Sequence, residues 1–295
     1  MSEISPALYR AGEGEQLLLL HGFTGTWQHW RPVLGELVAR YEVIAPTLPG
    51  HDGGPPYPLS SAATTAAAAD LLELQLDELG VGTAYVVGNS LGGSLALELA
   101  KRGRARAVVA IAPGGGWRTG DGEAQRVGRF FARQIRSTRA IAPRLSVVMR
   151  RPAVRHLAFR DIMRHGELVA PADAVDLART SLRCTIIGRL LEALRADRDV
   201  ALVDLDRIAC PVLLAWSQFD RVLPPERNAP RLLREIPGVE PQMLAGCGHV
   251  PMWDDSRLVV QTIAGFVDRH AASAPVAAPA PAPEALAVRQ PSMST

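Results

Sequence analysis

Ala84-Tyr85-Val86-Val87-Gly88-Asn89-Ser90-Leu91-Gly92-Gly93 passes from an apolar strand pattern over residues 84–88, through a tight turn, into a helix over 91–101. A turn of this kind holds its apical residue in a strained backbone geometry that lifts the side chain above the sheet. Side chains at 88 and 92 would collide with neighbouring backbone, and glycine at both positions removes the clash. Ser90 is therefore a candidate nucleophile. The competing account is an ordinary serine N-cap, so other parts of the chain must decide.

Working outward, short apolar runs alternate with helical stretches. A strand over 17–20, a helix over 27–39 and a strand over 41–45 precede a helix over 60–79. In that helix Leu72, Leu76 and Leu79 mark one face and Asp70, Glu73 and Asp77 the other. A strand over 107–112 follows. Repeated βα units with short connections imply an α/β fold, a mostly parallel sheet flanked by helices. Between 114 and 206 the β rhythm stops, and arginine-studded helical segments broken by Pro143, Pro152, Gly166 and Pro171 read as an inserted helical cap. The rhythm resumes with a strand over 212–216, a helix over 225–236, a strand over 239–244 and a helix over 254–270. The expected division is a core of residues 1–113 and 207–270, a cap of 114–206, and an Ala/Pro-rich, disordered tail of 271–295.

Composition agrees with one large globular α/β unit plus a lid: 295 residues, 47% hydrophobic and 21% charged. The formal charge, 32 − 30 = +2, is too small to argue for nucleic acid. Lys101 is the one lysine among the 32 basic residues, a bias read as codon usage in a GC-rich genome. Cys184, Cys210 and Cys247 form neither a C-x-x-C pair nor a disulfide framework, which suits a reducing cytoplasm, the expected location. The first residues lack the basic and apolar regions of a signal peptide. No apolar run approaches the ~20 residues of a membrane span.

A serine nucleophile needs a base, and the base needs a group to fix its tautomer. His249 lies in Gly246-Cys247-Gly248-His249-Val250-Pro251, a glycine-flanked loop after the last strand; His29, His51, His156, His165 and His270 lack such a setting. Asp220, just past the strand ending at Trp216, is the best-placed acid. Asp254 and Asp255 are poorer candidates, because negative side chains are expected at a helix start as dipole partners. His21-Gly22-Phe23-Thr24-Gly25, at the end of the 17–20 strand, can donate amides to an oxyanion; Phe23 and Leu91 are the expected backbone donors. The His21 side chain is read as a structural group bonding that loop.

With the H-G-F-T-G, G-N-S-L-G-G and G-C-G-H-V-P segments and the order Ser90, Asp220, His249, the chain resembles the α/β-hydrolase superfamily from about residue 8 to 270, interrupted by a variable cap. The resemblance implies a nucleophile elbow at Ser90, a triad of Ser90, Asp220 and His249, and no metal or organic cofactor. A serine at the elbow argues against haloalkane dehalogenase or epoxide hydrolase chemistry, which in related proteins uses aspartate there. The expected activity is hydrolysis of a small hydrophobic ester through an acyl-enzyme. Carbon–carbon bond hydrolysis of ring-cleavage products and cofactor-free haloperoxidase-like chemistry would use the same triad. A ligand-binding role on this scaffold also stays open.

Trp27, Trp117, Met252 and Trp253, with Phe23, flank the candidate loops and are expected to line an apolar pocket. Thr47-Leu48-Pro49-Gly50-His51-Asp52-Gly53-Gly54 is assigned no chemistry. In the cap, Arg126, Arg129, Arg133 and Arg136 recur at helical spacing opposite Val127, Phe131 and Ile135. This reads as a solvated outer face over a pocket roof, with peripheral docking to an anionic surface as the alternative. Expected partners are a small hydrophobic acyl substrate and no nucleic acid, in a monomer or homodimer.

Overall fold

The computed structural model describes residues 2–271. Its sheet has eight strands: β1 (Glu3–Ile4), β2 (Leu8–Ala11), β3 (Gln16–Leu20), β4 (Glu42–Pro46), β5 (Ala84–Asn89), β6 (Ala105–Ile111), β7 (Val212–Ser217) and β8 (Glu240–Leu244), in the order β1-β2-β4-β3-β5-β6-β7-β8. All pairings from β4 to β8 are parallel. The short β1 and β2, which precede the first strand expected from the sequence, pair antiparallel at one edge.

The four leucines of β3 explain its central place. Leu18 and Leu20 enter the core on one face, Leu17 and Leu19 the core on the other, so a continuous apolar run is what a doubly covered strand requires. Helices α1 (Arg31–Val38) and α10 (Ser256–Ala271) bury Val33, Leu37, Ile263 and Phe266 on the Leu17 face. Helices α2 (Thr65–Glu78), α3 (Leu91–Lys101) and α9 (Pro225–Glu235) bury Leu72, Leu76, Leu95, Leu99 and Leu232 on the other. α2 starts five residues later than expected, because the Thr64 hydroxyl accepts the Ala67 N–H as an N-cap. Residues 27–30, expected as the start of a helix running to 39, form a separate single turn before α1. The last helix takes in Ala271, which was assigned to the tail; residues 272–295 of that expected tail lie outside the described residues.

Between β6 and β7 the described residues form five helices: α4 (Glu123–Ile141), α5 (Leu145–Val148), α6 (Pro152–Phe159), α7 (Pro171–Arg183) and α8 (Ile187–Ala196). α4 turns Val127, Phe131 and Ile135 inward and leaves Arg129, Arg133, Arg136 and Arg139 exposed. No described helix is long and apolar enough to cross a membrane.

Register places the candidate loops together. Leu20 pairs with Gly88, Asn89 with Ile111, Ile111 with Ala215, and Ser217 with Leu244. The segments leaving β3, β5, β7 and β8 therefore emerge side by side at the carboxyl edge, where open α/β sheets bind ligands.

Candidate active site

Ser90 connects β5 to α3 at φ 57° and ψ −116°, a strained conformation for a residue with a side chain. Hydrogen bonds pin it there. Its N–H donates to the Ile111 carbonyl at 2.9 Å, and its own carbonyl accepts the N–H groups of Ser94 and Gly114 at 3.0 and 3.1 Å. A Cβ at position 88 would lie 2.0 Å from the Gly92 oxygen, and one at position 92 would lie 2.0 Å from the Leu20 oxygen. The glycines thus do what their spacing requires: they let the turn close against β3.

Asp220 and His249 are both buried and meet through a 2.7 Å contact between Oδ2 and Nδ1. The other carboxylate oxygen accepts the N–H groups of Val222 at 2.9 Å and Leu223 at 2.7 Å. With the carboxylate accepting, Nδ1 carries the proton, and Nε2 is left as an acceptor with no hydrogen-bond partner among the described residues. Ser90 and His249 line one cavity of about 480 Å³.

The turn closed by the Gly25 N–H on the Gly22 carbonyl (3.1 Å) leaves the Phe23 N–H without a partner among the described residues, and the Leu91 N–H at the start of α3 has none either. Two unengaged amides thus stand beside the nucleophile candidate. His21 holds the loop: Nδ1–H donates to the Gly22 carbonyl at 2.8 Å, and Nε2 accepts the Leu48 N–H at 2.9 Å. Burial and the neighbouring His51 keep its pKa well below the ordinary histidine value.

Other supports carried no sequence signal of their own. Asn89, inside the elbow, donates through Nδ2 to the carbonyls of His249 (3.0 Å) and Ile111 (3.3 Å), tying the histidine loop to the sheet. Asp254, read as a dipole partner of the last helix, makes contacts beyond that helix. Its carboxylate accepts the N–H groups of Gly248, Arg164 and His165 at 2.7, 2.9 and 2.8 Å, joining the histidine loop to the segment after α6. Asp255 does cap α10, accepting the Leu258 N–H. Arg126 pairs with Glu123 and donates to the Val222 carbonyl, which fastens α4 to the Asp220 loop.

A second, smaller cavity of about 80 Å³ also reaches Ser90 and is lined by Phe23, Leu48, Trp117, Val127, Phe131 and Leu190, among others. Phe23 and Trp117 were expected as pocket residues and line this cavity. Three expected pocket residues do not. Trp27 donates its indole N–H to the Ser5 carbonyl and packs on Tyr9, Met252 is fully buried in the core beneath α10, and Trp253 donates to the His29 carbonyl. Conversely His29, passed over in the sequence, lines the larger cavity with its Nδ1 buried and unpartnered among the described residues. Burial and the nearby His51 and His249 lower its pKa to about 4.

The three cysteines are free, and burial pushes the Cys184 and Cys247 thiols up to about 12, so neither competes as a nucleophile. Among the described residues no His, Cys, Asp or Glu cluster is arranged to hold a metal ion.

A model of the alpha/beta hydrolase family matches residues 17–262. Epoxide hydrolase EphH of Mycobacterium tuberculosis is 34% identical over 214 residues, 70% of this chain and 95% of that protein. Two solved structures are similar in fold. A thermophilic esterase from Thermogutta terrifontis has TM-score 0.67 and 23% identity, covering 91% of this chain and 97% of that one. A meta-cleavage product hydrolase from Pseudomonas fluorescens has TM-score 0.68 and 19% identity, covering 89% and 93%.

Proposed function

Since the chain belongs to the alpha/beta hydrolase family, we propose that it is a serine hydrolase of carboxylic esters, working through an acyl-enzyme on Ser90. One observation carries the reading. Strained Ser90 shares a cavity with His249, whose Nε2 is free to accept a proton because Asp220 occupies Nδ1. In this reading His249 takes the Ser90 proton as the oxygen attacks the acyl carbon, and the Phe23 and Leu91 amides hold the oxyanion. His249 then gives the proton to the departing alcohol, and water, deprotonated by His249, releases the acid. Asp220 keeps the ring oriented.

The similarity to an epoxide hydrolase invites a different reaction on the same fold. Chemistry weighs against it here. A serine that opened an epoxide would become an ether, with no carbonyl for water to attack, whereas a serine acylated by an ester becomes an ester that the same machinery can hydrolyse.

The test is release of p-nitrophenol from acyl esters by the wild type, Ser90→Ala and His249→Ala. Each variant should lose on the order of 10³-fold to 10⁶-fold in turnover. Wild-type turnover by Ser90→Ala would overturn the reading, as would an enzyme that opens epoxides and leaves every ester intact.

A further inference from the structure

Ser90 stands where two cavities of different character meet. Phe23 and Phe131, edge to face with centroids 4.9 Å apart, line both and form the wall between them. Leu91, with one of the two unpaired amides, lines only the smaller cavity, and His249 lines only the larger. The smaller is walled mainly by apolar side chains such as Leu48, Val127 and Leu190; the larger carries Arg133, Gln134 and Asp161 as well as apolar groups.

Resting on the acyl-enzyme reading, we propose that the preferred substrates join a short alkyl acyl group to a larger, polar alcohol, with the acyl chain in the smaller cavity and the alcohol in the larger. The assignment follows from where protons must go. In the tetrahedral intermediate the acyl carbon bears the Ser90 oxygen, the oxyanion, the alcohol oxygen and the acyl chain. When the bond from carbon to the alcohol oxygen breaks, its electron pair goes to that oxygen, which takes the proton from His249 Nε2. The departing oxygen must therefore face His249, and only the larger cavity does. The acyl chain is left to the side of Leu91. The alcohol's departure empties the larger cavity for water, which gives one proton to His249 and attacks the acyl carbon. The Ser90 oxygen recovers that proton as the acid leaves.

Size sets the chain length. At about 80 Å³ against about 480 Å³, the smaller cavity takes the smaller of the two substrate groups, so a short acyl chain fits it better than a long one.

The test measures kcat/KM for p-nitrophenyl esters from acetate to dodecanoate, and for acetates of alcohols of increasing size. The maximum should fall at octanoate or a shorter chain, with dodecanoate at least about tenfold lower. Leu190→Trp, which fills the smaller cavity, should lower the hexanoate-to-acetate ratio by about tenfold or more. Leu190→Ala should move the maximum to longer chains. Leu177→Trp, which fills the larger cavity, should lower the ratio of large to small alcohols and leave the chain-length maximum in place. Labelling by an alkylphosphonate with an activated leaving group, read by intact mass and peptide mapping, separates the two levels. A Ser90 adduct together with chain-length selectivity that is flat, or moved by Leu177→Trp instead of Leu190→Trp, overturns the cavity assignment alone. No adduct and no ester turnover overturns the acyl-enzyme reading and this inference with it.

Discussion

At the scale of single residues, the elbow shows how little freedom the sequence had. Gly92 has no room for a methyl group, since a Cβ there would sit 2.0 Å from the Leu20 carbonyl oxygen, which belongs to a sheet strand that cannot give way. Gly92→Ala should therefore destabilise the fold by about 3 kcal/mol, read as a fall in the urea midpoint. Gly35, exposed in α1 with open space around its would-be Cβ, is the control. Gly35→Ala should stabilise by about 0.5–1 kcal/mol, because only the entropic cost of glycine in a helix is removed. Equal effects from the two substitutions would show that the turn relaxes away from β3 and that Ser90 is not held as described. Local constraint of this kind is what made Ser90, Asp220 and His249 stand out as candidates: each lies in a short segment whose neighbours announce a turn after a strand. Trp27, Met252 and Trp253 were misplaced for the opposite reason. Nearness along the chain to a candidate loop does not say which way a side chain faces: Trp27 and Met252 turn into the core, and Trp253 packs against it.

At the scale of elements, the periodicity of the core strands and of α2, α9 and α10 was legible because each buries a continuous face or stripe. β1 and β2 were not, having two and four residues, too few to show a period. Most walls of the smaller cavity were beyond reach as well, because Leu48, Ile186 and Leu190 come together from loops and helices far apart in sequence. Among the polar contacts that join the helical insert to the sheet loops, two without a motif are Arg126 on the Val222 carbonyl, and Asp254 on the amides of Arg164, His165 and Gly248. The second of these holds the His249 loop and the segment after α6 as one unit. Asp254→Ala would leave three N–H groups without their acceptor and should cost about 2 kcal/mol or more, with kcat falling more than KM rises because the ring of His249 loses its support. Asp254→Asn, which keeps one acceptor oxygen, should recover part of both losses. Wild-type stability and kcat in Asp254→Ala would mean that the insert and the loop are held independently.

At the scale of the whole molecule, the neighbourhood of Ser90 gathers four histidines and gives only one of them a carboxylate. His249 has Asp220; His21, His29 and His51 lie close to one another, with ring centroids 4.9 Å apart for His21 and His51 and 6.3 Å for His21 and His29. Burial above all keeps His21 and His51 uncharged, His51 with a pKa of about 4 and His21 well below the usual value. A second positive charge in this region would compete with the imidazolium that His249 forms in the proposed mechanism. This arrangement has a consequence for folding. In the unfolded chain these histidines take up protons as pH falls through about 6.5, whereas in the folded protein His51 resists until about 4. Within that window the unfolded state binds more protons, so stability rises with pH: it is fully present above neutrality and is lost as pH drops from 6.5 toward 4, by on the order of 1 kcal/mol per pH unit for each such histidine. The urea midpoint should fall between pH 7 and pH 5, and His51→Gln, which cannot be protonated in either state, should flatten that slope. A midpoint unchanged over this range, or a slope unaffected by His51→Gln, would mean that His51 carries its proton in the folded protein, and the uncharged surroundings ascribed to His249 would go with it.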